Sequence, residues 1–130
     1  MIASKLNVYI DTFHFVGKLM DAQAQFSKMY KYTLGARMQE SAVELFGYIQ
    51  MANMFRENRV KYLNGFIVKF ESVKTLLRLA CDRKQVSIRR QAEIFQLMEA
   101  ISRQITAWKN SPCKRTKQAS AGTTPNGAEG

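Results

Sequence analysis

A single histidine, His14, sets the first limit on chemistry. Any Ser/His/Asp or Cys/His arrangement would have to use it. It stands between Phe13 and Phe15 in a stretch, residues 1–27, where two lysines balance two acids. A histidine in that setting reads as structural or as a surface residue. Helical ribonucleases that place an arginine a few residues before a histidine have no counterpart here, because the first arginine is Arg37. Glu40 and Glu44 are four residues apart, so a helix sets them on one face, where two carboxylates can help hold a metal. A di-metal bundle also needs Glu-x-x-His on each of two helices, and the nearest approach is one Asp11-x-x-His14. The two glutamates are therefore expected to meet Arg or Lys side chains. Cys81 and Cys113 are too few and too far apart for a zinc spacing and read as reduced thiols. No Gly-rich phosphate loop occurs, since Asn64-Gly65 is an isolated turn-like pair. No catalytic constellation, metal site or cofactor is expected, and the chain reads as a non-enzyme.

The cations are more informative. The 130 residues carry 20 Lys+Arg against 10 Asp+Glu, a formal charge of +10 with a pI near 9.9. The excess falls on the second half: residues 58–81 hold five cations and one acid. A protein this basic meets nucleic acid, an anionic membrane or an acidic protein. Lys74 and Arg78 share a helical face, and Glu71 can neutralise at most one of them. This pair is taken as the centre of the basic surface. Arg83 and Lys84 follow in a link, and Arg89-Arg90 open the next helix, where they oppose a dipole that prefers acids at an N-terminus. Cations placed against that preference point to a partner phosphate or an acidic surface; a solvated basic face is the alternative. Lys28, Lys31 and Arg37 complete the candidate binding set. Tyr30 and Tyr32 flank Lys31 and resemble a base-stacking platform, although aromatics at helical spacing more often belong to a core.

These side chains need elements to position them, and the apolar residues supply a helical period. The first segment carries Ile2, Leu6, Tyr9, Phe13, Val16 and Met20 in four-three steps, the pattern of one helix face. A weak break at 26–30 follows. Leu34, Met38, Ser41, Leu45, Tyr48, Ala52 and Phe55, widened by Ala42 and Ile49, predict a second helix, which Gly35 and Gly47 weaken unless they permit a close approach. A third, with Asn58 as N-cap, presents Leu63, Phe66, Phe70, Val73, Leu77 and Ala80. A fourth, capped by Ser87, presents Ile94, Met98, Ile101, Ile105 and Trp108 and ends at Asn110-Ser111-Pro112. The expected architecture is all-α: an up-down-up-down four-helix bundle over residues 1–110, with residues 111–130 as a disordered basic tail. Tyr9, Ile10, Phe15, Leu19, Phe46, Ile67, Val68 and Leu79 cannot all face one monomer core, so an oligomer is expected. No transmembrane run is present and Asn7 and Asp11 interrupt any signal-peptide core, so the expected location is cytoplasmic, away from membranes.

The segment Phe26-Ser27-Lys28-Met29-Tyr30-Lys31-Tyr32-Thr33-Leu34-Gly35-Ala36-Arg37 resembles the aromatic-basic-Tyr-x-Leu-Gly-x-Arg segment of small four-helix-bundle proteins. The match continues through Val43-Glu44-Leu45, Ala52, Tyr62-Leu63, the basic run from Lys74 to Ala80, and Ile105-Thr106-Ala107-Trp108-Lys109. It covers about residues 4–110 in order. The chain thus resembles Avd, the accessory variability proteins of diversity-generating retroelements, and more distantly the bundle proteins encoded in ribosomal-RNA intervening sequences. Ser27 departs from the proline common at that position. The resemblance implies a homopentameric barrel that binds the element's reverse transcriptase and nucleic acid, RNA or DNA. That complex copies template-repeat RNA into adenine-mutagenised cDNA for mutagenic retrohoming. It also implies basic residues at Lys74 and Arg78. A general RNA- or DNA-binding bundle of the intervening-sequence type, without a polymerase partner, is the alternative.

Overall fold

A computed structural model describes residues 3–112, with side chains from Asn7 onward. No proline occurs before Pro112, so nothing in the chain forbids long helices. The elements are α1 (Ala3–Ala24), a single turn α2 (Lys28–Lys31), α3 (Leu34–Val43), α4 (Leu45–Met54), a 3-10 turn (Arg56–Asn58), α5 (Arg59–Asp82) and α6 (Ile88–Asn110). The expected second helix is bent at Glu44: the Gly47 N–H donates to the Glu44 carbonyl at 3.1 Å, a three-residue bond that tightens the turn. Glu44 meanwhile reaches Lys69 on α5 at 3.1 Å, as expected for that carboxylate.

Cross-links between arms define the topology. Asp11 accepts from Gln104 at 2.6 Å and Lys18 meets Glu93 at 3.5 Å, so α1 and α6 run antiparallel. Tyr9 and Phe13 both meet Phe46, whereas a Cβ on Gly35 would strike Gln23, so α1 and α3–α4 are antiparallel. Glu44–Lys69 and Phe55–Tyr62 set α4 against α5, and Asn64–Lys109 sets α5 against α6. The result is an up-down-up-down helical bundle. Asn58 occupies the N-cap of α5 without a side-chain hydrogen bond, so it caps by position alone. Ser87 does cap α6, its hydroxyl accepting from the Arg90 N–H at 3.2 Å.

The core is continuous along all four arms. On α5 and α6 every residue of the expected stripes is buried. On α1 the stripe is turned. The buried residues are Val8, Thr12, Phe15, Val16, Leu19 and Ala22, while Phe13 is 61% and Met20 49% exposed. This helix is apolar on two faces, and the inner one is offset by about one residue from the face the spacing suggested. Phe15 and Leu19, expected as surplus, are therefore core; Ile10, Val68 and Leu79 remain exposed. Phe55, expected on the inner stripe, is exposed as well.

Gly35 and Gly65 serve close approaches, since a Cβ would lie 2.8 Å from Gln23 and 2.5 Å from the Tyr48 ring respectively. Gly65 lies within α5 and forms no turn. Among the described residues no helix is long and apolar enough to cross a membrane. Ser111, where the tail was expected to begin, bonds back to the Trp108 carbonyl at 2.8 Å and accepts from Arg59; residues 113–130 of that tail, Cys113 among them, lie outside the described residues.

Candidate functional site

One end of the bundle is built from two links, residues 25–33 between α1 and α3 and residues 83–87 between α5 and α6. They are tied by Gln85. Its Oε1 accepts from the Ser27 N–H at 2.8 Å, and its Nε2 donates to the Arg83 carbonyl at 2.9 Å. Gln23 holds the first link from below, donating to the Lys31 carbonyl at 2.9 Å. The second link begins as a Schellman motif: the Gln85 N–H reaches the Ala80 carbonyl and the Lys84 N–H the Cys81 carbonyl, each at 2.9 Å. Lys84 occupies its left-handed position with φ 62°, where glycine carries no Cβ penalty.

This arrangement gathers most of the candidate cations. Lys28 and Lys31 are on α2, Arg83 and Lys84 lie in the second link, and Arg89 and Arg90 lie in the first turn of α6. Arg37 closes the first turn of α3, and Arg78 is exposed one turn before α5 ends. Arg83 and Lys84 sit favourably at a helix C-terminus, and Arg89 and Arg90 unfavourably at an N-terminus. Few acids answer them. Asp82 meets Arg83 at 3.5 Å; Glu93 is shared between Arg89 at 3.8 Å and Lys18 at 3.5 Å. Asp21 is exposed near the end of α1. Lys28, Lys31, Arg37, Arg78, Lys84 and Arg90 form no ion pair among the described residues.

Lys74 stands apart. It lies about 12 Å along α5 from Asp82 at 1.5 Å per residue. Its ammonium is bound to Glu71 at 2.9 Å and sits 4.8 Å from the Phe70 ring centroid. The spacing to Arg78 is as expected, but Lys74 is neutralised by its own helix and Arg78 is not.

Tyr30 packs against the core and only Tyr32 is exposed, so no two-ring platform exists. The residues that composition alone passed over here are Gln85, Met29 and Ile88; the signal for the last two was large apolar side chains placed in or beside polar links.

Elsewhere, His14 is exposed on the wall of a groove between α1 and α6 that Phe13, Gly17, Met20 and Leu97 also line. A second groove, between α4 and α5 on the opposite side of the bundle, is lined by Val43, Gly47, Tyr48, Met51 and Tyr62. Nothing lies within 4 Å of a Cβ built on Gly17 or Gly47. Burial pushes the Cys81 thiol pKa up, away from thiolate chemistry. Among the described residues no three His, Cys, Asp or Glu side chains gather as a metal site would require.

A family model described as bAvd-like matches residues 3–112, the whole of the bundle with both links. No curated protein matches the chain.

Proposed function

The chain belongs to the bAvd-like family, whose members are Avd-type accessory proteins, and from that premise we propose that it is the non-enzymatic accessory subunit of a diversity-generating retroelement. In this role it binds the element's reverse transcriptase and its nucleic acid, the template-repeat RNA or the cDNA copied from it, in the cytoplasm. The observation that carries the polymerase-binding half of this reading is the basic end, where cations from both halves of the chain converge and the fold leaves most of them unpaired. Such charge steers anionic partners and makes their binding salt-dependent.

The subunit acts as a ring. Two grooves on opposite sides of one protomer, each mixing apolar side chains with charged ones such as Lys18, Asp21 and Glu93 in the first and Glu44 in the second, suit a heterologous contact, in which one groove's walls meet the next protomer's opposite face, and such contacts close into rings. Mid-helix glycine costs about 1 kcal/mol, and the open space over Gly17 and Gly47 gives that expense a use at a subunit contact. Five copies is the number the Avd resemblance implies. A ring repeats the basic end and raises its avidity.

The test is co-purification of the full chain with the reverse transcriptase of the same element and its template-repeat RNA. A stable complex that dissociates steeply between about 50 and 200 mM salt is expected. Failure to bind either partner at low salt removes the reading. Light scattering that returns a single-chain mass of 14.9 kDa removes the ring.

A further inference from the structure

Taking the accessory-subunit role as its basis, we infer that the basic end seats a protein rather than nucleic acid: an acidic surface that carries a short apolar ridge, as on one side of an amphipathic helix. Three large apolar side chains stand among the cations. Met29 is 67%, Tyr32 70% and Ile88 79% exposed. The bundle does not need them there. The residue of turn α2 that packs against the core is Tyr30, and Ile88 is the first residue of α6, ahead of the stripe that begins at Ile94. Ser27 and Gln85, joined across the links, stand two and three residues from Met29 and Ile88.

Single-strand binding works by stacking bases on aromatic rings beside cations. Here one exposed ring is accompanied by two aliphatic side chains with no π-face. An apolar centre with a charged rim is instead the anatomy of a protein interface. The charges of the two links and the start of α6, Lys28, Lys31, Arg83, Lys84, Arg89 and Arg90 against Asp82 and Glu93, are predominantly positive, so the complementary partner is acidic. Lys84 adds a separate sign of use. It holds a left-handed backbone position that glycine would fill without strain, and strain of that kind gathers at working surfaces. Gln85 fixes one link against the other before any partner arrives, which lowers the ordering cost of binding.

The experiment uses the full chain and three probes: the element's reverse transcriptase, a labelled helical peptide of about 20 residues with Glu on one face and Leu on the other, and an oligothymidylate of about 20 nucleotides. The variants are Met29→Gln/Ile88→Gln, which keeps every charge, and Arg89→Gln/Arg90→Gln. Circular dichroism checks that each variant is as helical as the wild type. The apolar double variant should weaken polymerase and peptide by about tenfold or more and leave the oligonucleotide within about twofold. The Arg pair should weaken polymerase and peptide as well, through lost complementarity. Equal loss of oligonucleotide and polymerase in the apolar variant assigns the end to nucleic acid and overturns the inference. So does unchanged binding of polymerase and peptide. Peptide bound through Met29 and Ile88 by a wild type that ignores the polymerase leaves the docking surface standing and removes the retroelement role; binding of neither removes both.

Discussion

The two ends of the bundle hold the same kinds of cation and use them in opposite ways. At the end formed by Phe55–Asn64 and Lys109–Ser111 the fold engages three of the four through neutral groups and leaves Arg56 exposed without a partner among the described residues. Arg59 donates to the Ser111 carbonyl, Lys109 to Asn64 Oδ1 at 3.2 Å, and Lys61 sits 5.5 Å from the Tyr62 ring centroid. At the end formed by the 25–33 and 83–90 segments, Lys28, Lys31, Lys84 and Arg90 have no carboxylate partner among the described residues, and only Arg83 and Arg89 do. A charge count therefore does not locate a binding surface. What locates it is whether the folded chain has already used the charge.

That contrast can be broken from either side. The largest effect should come from neutralising the free end. The variant Lys28→Gln/Lys31→Gln/Arg89→Gln/Arg90→Gln should weaken polymerase binding by about 100-fold and leave the thermal midpoint within a few degrees, whereas Arg59→Gln/Lys109→Gln should leave binding within about twofold. Calorimetric titration of both variants checks this, and a reversal of the two results abolishes the distinction. Next in size, Arg59→Ala should lower stability by about 1–3 kcal/mol in urea unfolding, because its guanidinium donates to the Ser111 carbonyl and so holds the end of α6. A smaller change of opposite sign is expected at Lys84. Lys84→Gly should raise stability by about 1 kcal/mol through relief of the left-handed strain, while lowering polymerase affinity. A gain in both would make Lys84 a mere flaw in the helix end. The smallest effect belongs to Lys74. Its partner Glu71 is well exposed, so Lys74→Ala should cost under about 1 kcal/mol and scarcely alter binding, whereas Arg78→Ala should weaken it measurably.

The sequence made some of this legible and not the rest, for physical reasons. Helices α5 and α6 each bear one unbroken apolar stripe, with Val60, Val68, Leu79, Ile88 and Phe95 only scattered outside it, so Leu63 through Ala80 and Ile94 through Trp108 could be assigned to the core from spacing alone. Helix α1 bears two. Phe13 with Phe15, and Met20 with Leu19, offer competing faces, and only packing against α3 and α6 selects Phe15 and Leu19. Thr12, fully buried, further blurred the inner stripe. The cations of the candidate site were recognisable by type, yet their convergence was not, because it depends on which links meet. The emphasis on Lys74 came from a spacing rule that records which residues share a face but not which of them already rest on Glu71 and Phe70.

The bond between Ser27 and Gln85 spans 58 residues of chain. Contacts of that separation form only after the intervening loop entropy has been overcome. An α1–α3 hairpin alone would display Lys28 and Lys31, and an α5–α6 hairpin alone would display Arg83 to Arg90, but neither would hold the other's half at a fixed distance. The assembled end is thus a property of the finished protomer. A partner that requires both halves samples only molecules that have completed folding, so recruitment doubles as a proofreading step on the subunit itself.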